Sequence, residues 1–181
     1  MGVDFSRVLE ANAFKIGLKK RTLEATPKEC DAVAKRLGLI SLKHYSVTLD
    51  SLDSQSASDY KIKGKIKALV VQPCILTLDP VEDDINDEFT LRLISMLSEE
   101  DLEKVDEEVE SDEDIEPLLE EGVDMGDIST QYLSMALNPF PRSEGADIKD
   151  INVKGCQILS EEDVKVKNNP FQFLGKLKIE P

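Results

Sequence analysis

An α+β fold, built as an antiparallel sheet with a few short helices packed on it, is what three features of this sequence predict. Short apolar segments with polar connections follow one another between residues 45 and 94. One of them, Tyr60 to Val71, sets Lys61, Lys63, Lys65 and Lys67 against Tyr60, Ile62, Gly64, Ile66 and Ala68 at the period of a strand. A single well-capped helix stands before them. With 181 residues and 20.2 kDa the chain has the size of one domain, with room for insertions.

The elements follow in order. Phe14 to Ala25 alternates loosely through Ile16 and Leu18 and reads as a strand leading into the helix. The helix opens at Thr26-Pro27-Lys28-Glu29, a capping threonine, a proline at the first helical position and a glutamate three residues on. Cys30, Val33, Ala34 and Leu37 share a face, and Gly38 supplies the stop. Tyr45, Val47 and Leu49 make a strand, and Asp50 to Asp59 is a polar loop of hairpin type. After the lysine strand Pro73 breaks regular pairing. Cys74 to Leu78 and Phe89 to Ile94 then read as two strands joined by a polar turn, Asp79 to Glu88.

Residues 98–114 form an acidic insertion whose apolar members are Leu102, Val105 and Val109, spaced for a marginal helix. Repulsion among its carboxylates favours a solvated, mobile segment over that helix. Ile115 to Leu119 suits an edge strand, because Pro117 donates nothing to a ladder. Asp124 or Asp127 caps a helix with Ile128, Tyr132, Leu133, Met135, Ala136 and Leu137 on a broad apolar face, ended by Pro139. Residues 143–167 are polar and read as a long flexible loop. Asn169-Pro170 opens a last short helix bearing Phe171, Leu174 and Leu177, with Lys176 and Lys178 at its end.

Charge narrows the function. The formal net charge is -15, which by itself opposes phosphate-bearing partners. Residues 99–121, however, hold fourteen acids and one base, and the other 158 residues hold 23 acids and 21 bases. The body of the protein is nearly neutral, so the acidity does not exclude RNA. No stretch approaches the ~20 apolar residues of a membrane span, and the N-terminus lacks the apolar core of a secretory signal. A cytoplasmic protein with reduced thiols is expected from this and from three scattered cysteines at 30, 74 and 156.

Catalysis finds little to use. The acidic run has neither a pocket nor the glycine and alternating ligands of a calcium loop. His44 is the single histidine, beside Tyr45 at a strand start, and reads as a packed or surface residue. Cys74 falls in an apolar segment, where a thiol packs as a small core residue. Neither phosphate-cradling glycine pattern occurs, and a lone histidine without a cysteine pair leaves zinc almost no ligands. No catalytic residue, cofactor or metal is expected. The lysine row remains, its charges roughly 6.6 Å apart, comparable to a nucleic-acid backbone repeat. Lys19-Lys20-Arg21 would extend it. The competing reading is that these lysines guard an exposed sheet edge against aggregation, and no aromatic platform is interleaved to stack bases.

Four segments in order carry a resemblance: Gln72-Pro73-Cys74-Ile75-Leu76-Thr77-Leu78-Asp79-Pro80-Val81; Asp124-Met125-Gly126-Asp127-Ile128 with Gln131, Leu133, Ala136 and Leu137; Pro139-Phe140-Pro141-Arg142 with Gly145-Ala146; and Asn169-Pro170-Phe171 with Leu174, Leu177 and Lys178. Together they resemble the YceD-like family, the large ribosomal RNA subunit accumulation proteins, in its alphaproteobacterial-type branch. Many members carry Cys-x-x-Cys in the central strand, whereas here Cys74 is kept and position 77 is threonine. A thiol-pair or metal role is therefore not carried over. The resemblance implies a non-enzymatic cytoplasmic factor supporting 23S rRNA accumulation or processing and large-subunit assembly. Its partners would be 23S rRNA or precursor large subunits, and ribosomal proteins or an RNA-processing enzyme, with no membrane and no small-molecule substrate. Lys61, Lys63, Lys65, Lys67 and Arg142 are the RNA-binding candidates. The alternative is an adapter whose acidic insertion docks on a basic protein without touching RNA.

Overall fold

The computed structural model describes residues 4–52, 59–95 and 114–146. The chain divides into two units, Met1–Ser143 and Glu144–Pro181. Of the second, only the turn at Glu144 and Gly145 and the residue after it are described. The acidic insertion apart from Asp114, the flexible loop beyond Ala146 and the helix expected from Asn169 lie outside the described residues.

The first unit is α+β. Its elements are β1 (Val8–Leu9), α1 (Ala11–Lys15), β2 (Arg21–Glu24), α2 (Pro27–Leu37), β3 (Ser41–Ser51), β4 (Asp59–Pro73), β5 (Pro80–Ser95), β6 (Asp114–Leu118), β7 (Val123–Asp124) and α3 (Met125–Ala136). A five-stranded sheet runs in the order β2-β3-β4-β5-β6, and β1 pairs with β7 in a small second sheet. All neighbours in the large sheet are antiparallel except β5 and β6, which are parallel. The expected edge strand is thus present but runs with its neighbour. No described helix is long and apolar enough to cross a membrane.

Alternation places the core on one face. Tyr45, Val47 and Leu49 of β3, Tyr60, Ile62 and Ile66 of β4, and Phe89, Leu91 and Leu93 of β5 are all buried. α2 packs on β3, and α3 packs on β4 and β5. Burying these side chains together is the main favourable term, at about 1.5–3 kcal/mol for each large one. Gly64 lies directly opposite Phe89, and a Cβ there would meet the Phe89 ring at 2.1 Å. The ring crosses the bare backbone and stacks on Tyr132 of α3, centroids 4.0 Å apart. This explains why the inward side of the lysine strand carries a glycine.

The caps also form as expected. Thr26 and Glu29 close a capping box, Pro27 starts α2, and Gly38 ends it in the left-handed region. For α3 the cap is Asp124, whose carboxylate accepts from the amides of Gly126 and Asp127. It also accepts from the Arg7 amide at 2.7 Å and the Ser6 hydroxyl at 2.5 Å. A side chain at 126 would meet the Phe5 carbonyl at 2.5 Å, so the glycine two residues after the cap lets the N-terminal segment cross here. Arg7 then reaches Glu29 through both nitrogens, at 2.7 and 2.9 Å, and so joins the starts of α2 and α3.

Two strand readings need correction. Phe14 to Ala25 is not one strand: β2 covers only its last part, and Ala11, Phe14 and Leu18 are buried at helical spacing while Ile16 is exposed. Cys74 to Leu78 is a turn, closed by the Leu78 amide on the Cys74 carbonyl at 3.0 Å and the Cys74 amide on the Asp79 carbonyl at 2.8 Å. Residues 79–88, read as a polar turn, instead supply the first half of β5. Pairing with β4 back to Pro73 opposite Pro80 holds this acidic segment extended despite its composition.

Candidate functional site

The face of the large sheet away from the core carries the lysine row. Lys63, Lys65 and Lys67 are exposed and Lys61 is half-buried, each alternating with a buried neighbour on β4. β4 lies between β3 and β5 and is paired on both sides. Edge protection therefore does not account for its lysines.

Register fills in the surroundings. Lys65 lies between Thr48 of β3 and Glu88 of β5, Lys67 between Ser46 and Asn86, and Lys63 between Asp50 and Thr90. Glu88 binds two ammonium groups at once, Lys63 at 2.7 Å and Lys65 at 3.2 Å. Both hydrogen bonds, with the attraction of the two charges, hold its carboxyl below the usual value. Two cations on one anion leave that trio with a net positive charge, which Asp50, opposite Lys63, offsets in part. Arg92 pairs with Asp59 at 2.6 Å, and Lys43 pairs with Glu82. Among the described residues Lys67 has no ion pair. The row is partly neutralised, with its surplus centred on Lys63, Lys65 and Lys67.

The other basic candidates do not join it. Arg21 shares the parity of core-facing Leu23 on β2, so by alternation it lies on the opposite side of the sheet. Arg142 is exposed, next to Pro141, whose carbonyl accepts from the Ile75 amide at 2.9 Å in the β4–β5 turn. That turn begins seven residues beyond Lys67, about 23 Å along the strand direction. Arg142 thus belongs to the tip of the hairpin. His44 is on the lysine side, opposite Leu69 and one step beyond Lys67 in register, with Nε2 3.2 Å from the hydroxyl of Ser46, the residue opposite Lys67.

The tip holds a cluster that the sequence did not announce. Cys74 is fully buried, and its sulfur accepts from the amides of Leu76 and Ser143, both at 3.4 Å, and from the Ser143 hydroxyl at 3.5 Å. The hydroxyls of Ser143 and Thr77 also approach each other at 3.3 Å. These donors, Ser143 first and Thr77 next, hold the thiol down to about 6. Cys74 is buried as expected, but in a turn, where its sulfur ties residue 143 to the hairpin. Its partner is 69 positions away, and no local pattern signals it. Among the described residues no group of three or more His, Cys, Asp or Glu is arranged to hold a metal ion.

A hollow beside this cluster is lined by Gln72, Pro73, Ile75, Met135, Pro139 and Pro141. Gln72 Nε2 donates to the Asn138 carbonyl at 3.0 Å, while its Oε1 is buried with no partner among the described residues. The arrangement fastens the segment after α3 to the end of β4. Among the described residues, the lining of the hollow brings no nucleophile, base or anion-binding amides together.

Three of the four resembling segments meet in this description: the β4–β5 turn, the capped start of α3, and the Pro139 to Arg142 segment held against that turn. No curated protein and no solved structure matches the chain. Residues 62–178, well over half of the sequence, match the family described as large ribosomal RNA subunit accumulation protein YceD. The chain therefore belongs to the YceD family, whose description names the accumulation of large-subunit ribosomal RNA and no catalysed reaction.

Proposed function

We propose that this protein is a non-enzymatic cytoplasmic factor that binds 23S rRNA or its precursor directly and supports its processing and large-subunit assembly. Lys61, Lys63, Lys65 and Lys67 make the phosphate contacts, and Arg142 touches RNA separately at the hairpin tip. The observation that carries this reading is the lysine row on a central strand, turned to solvent by a core on the opposite face. A row of ammonium groups on a rigid sheet, with more cations than Glu88 compensates, can bind a phosphate backbone without ordering a loop.

Replacing all four lysines with glutamine tests it. Each phosphate contact contributes about 0.9 to the slope of log affinity against log salt on a duplex, so four lost contacts flatten that slope by up to ~3–4 units. Binding to 23S rRNA fragments should weaken accordingly, with the fold intact because Ile62 and Ile66 keep the core side. Unchanged affinity and slope in a folded variant would remove the lysine row from the function.

A further inference from the structure

We infer that the open edge of β5, from Glu82 to Thr90, is a docking site for an extended lysine- or arginine-rich segment of a protein partner, which adds to the sheet as a strand. The inference concerns the strand edge that borders the lysine row and shares Glu88 with it, and it does not rest on the RNA reading.

Pairing defines the edge. β5 is bonded to β4 along its whole length, but β6 covers only Leu91 to Ser95. Among the described residues, the side of β5 before Leu91 has no strand partner. A strand edge in this state presents a row of amide and carbonyl groups at the spacing another strand requires. The amide of Glu88 shows which residues face outward: it donates to the carboxylate of Asp87, its neighbour in the chain, at 2.9 Å. Backbone groups alternate in direction along a strand, so Glu82, Asp84 and Asn86 turn theirs outward with Glu88.

Charge selects the occupant. Glu82, Asp83, Asp84, Asp87 and Glu88 line this part of β5. Glu82 and Glu88 are paired with lysines, but Asp83, Asp84 and Asp87 have no cation partner among the described residues. Such an edge repels phosphate and an acidic strand alike. Residues 99–121 of this chain, with fourteen acids and one base, are also the wrong sign to cover it. A basic extended polypeptide satisfies both requirements, with backbone bonds for affinity and ammonium or guanidinium groups beside the three free carboxylates.

The test uses the full chain, labelled for amide spectroscopy, and two blocked eight-residue peptides of equal charge. One alternates lysine with valine, the other lysine with proline. Both meet the carboxylates equally, but the proline peptide lacks half the donors a strand needs. The lysine–valine peptide should bind at least tenfold more tightly and slow hydrogen exchange at Asp84, Asn86 and Glu88. Asn86→Pro should cut that binding at least tenfold, since proline is tolerated where a strand's amide faces outward and then blocks pairing. Should that variant not fold, the two peptides on the native chain decide alone. Equal binding of the peptides, changes confined to residues 99–121, or no binding would overturn the inference. The four-lysine variant should bind the peptide at native strength or better, so failure here and failure of the RNA reading are told apart.

Discussion

The β4–β5 hairpin behaves differently at its two ends. Near its base, Tyr60 and Ile62 lie across from Leu93 and Leu91, Gly64 lies across from Phe89, and all these apolar side chains are buried under the helical layer. Toward the tip β4 still buries Ala68, Val70 and Val71, while β5 beside it exposes Glu82, Asp84 and Asn86 and buries only Ile85. The ladder is continuous through both halves. A hydrogen-bonded partner on one side is thus enough to keep a strand extended, whereas an alternating sequence is required only where a second layer covers it.

Truncating one side chain in each half measures that difference. Leu91→Ala leaves a cavity in the closed core and should cost about 2–5 kcal/mol. Val81→Ala removes a half-buried side chain at the tip and should cost under about 1 kcal/mol. Urea unfolding of both variants is the check, and equal costs would mean that the tip is packed as tightly as the base.

Gly64 tests the base more finely. A methyl group there meets the Phe89 ring, which has Tyr132 behind it, so Gly64→Ala should cost about 1–3 kcal/mol as an overpacking change. Combining it with Phe89→Leu should recover part of that loss, because the smaller side chain no longer needs the bare backbone. Strict additivity of the two changes would show that the ring does not depend on the glycine.

The same contrast explains what the sequence made legible. The capping box and the lysine row rest on local spacing and form as the sequence predicts, whereas on α3 Ile128, Tyr132, Leu133, Ala136 and Leu137 face the core but Met135, expected with them, is exposed. Asp79 to Glu88 reads as a turn because six acids in ten residues leave no apolar alternation, and the pairing that extends them lies in β4. Parallel pairing of β6, the bond from Ser143 to Cys74 and the clasp of Arg7 on Glu29 link residues far apart in sequence. Local patterns hold no information about such contacts. Of the candidate site, the row itself was legible, but the neutralising role of Glu88 required the register.

The clasp supplies a scale for the hairpin's exposed carboxylates. Hydrogen bonds from Arg7, helped by Thr26, hold Glu29 down to about 2, against an ordinary value of 4.5. A depressed folded value stabilises the protein above about 4.5, and the gain is lost as pH falls through that window toward about 2. Arg7→Met should therefore remove about 1 kcal/mol near neutrality, discounted for partial exposure, and flatten the acid limb of the stability curve. An acid limb unchanged in shape would place the sensitivity elsewhere.

Glu88 gives the smallest effect on stability and the sharpest on function. Its ion pairs with Lys63 and Lys65 are on the surface, where such pairs contribute little, so Glu88→Gln should leave unfolding almost unchanged. It nevertheless releases two ammonium groups from the only carboxylate they are seen to share. If phosphate competes with Glu88 for them, the variant should bind 23S rRNA fragments more tightly and steepen the salt dependence by up to about 2 units. In the native protein the same competition raises the Glu88 pKa when RNA binds, because its partners turn to phosphate. Carboxyl titration by nuclear magnetic resonance, with and without RNA, reads this directly. A Glu88 titration that RNA leaves untouched, together with unchanged affinity in Glu88→Gln, would mean that RNA engages the protein away from the base of the hairpin.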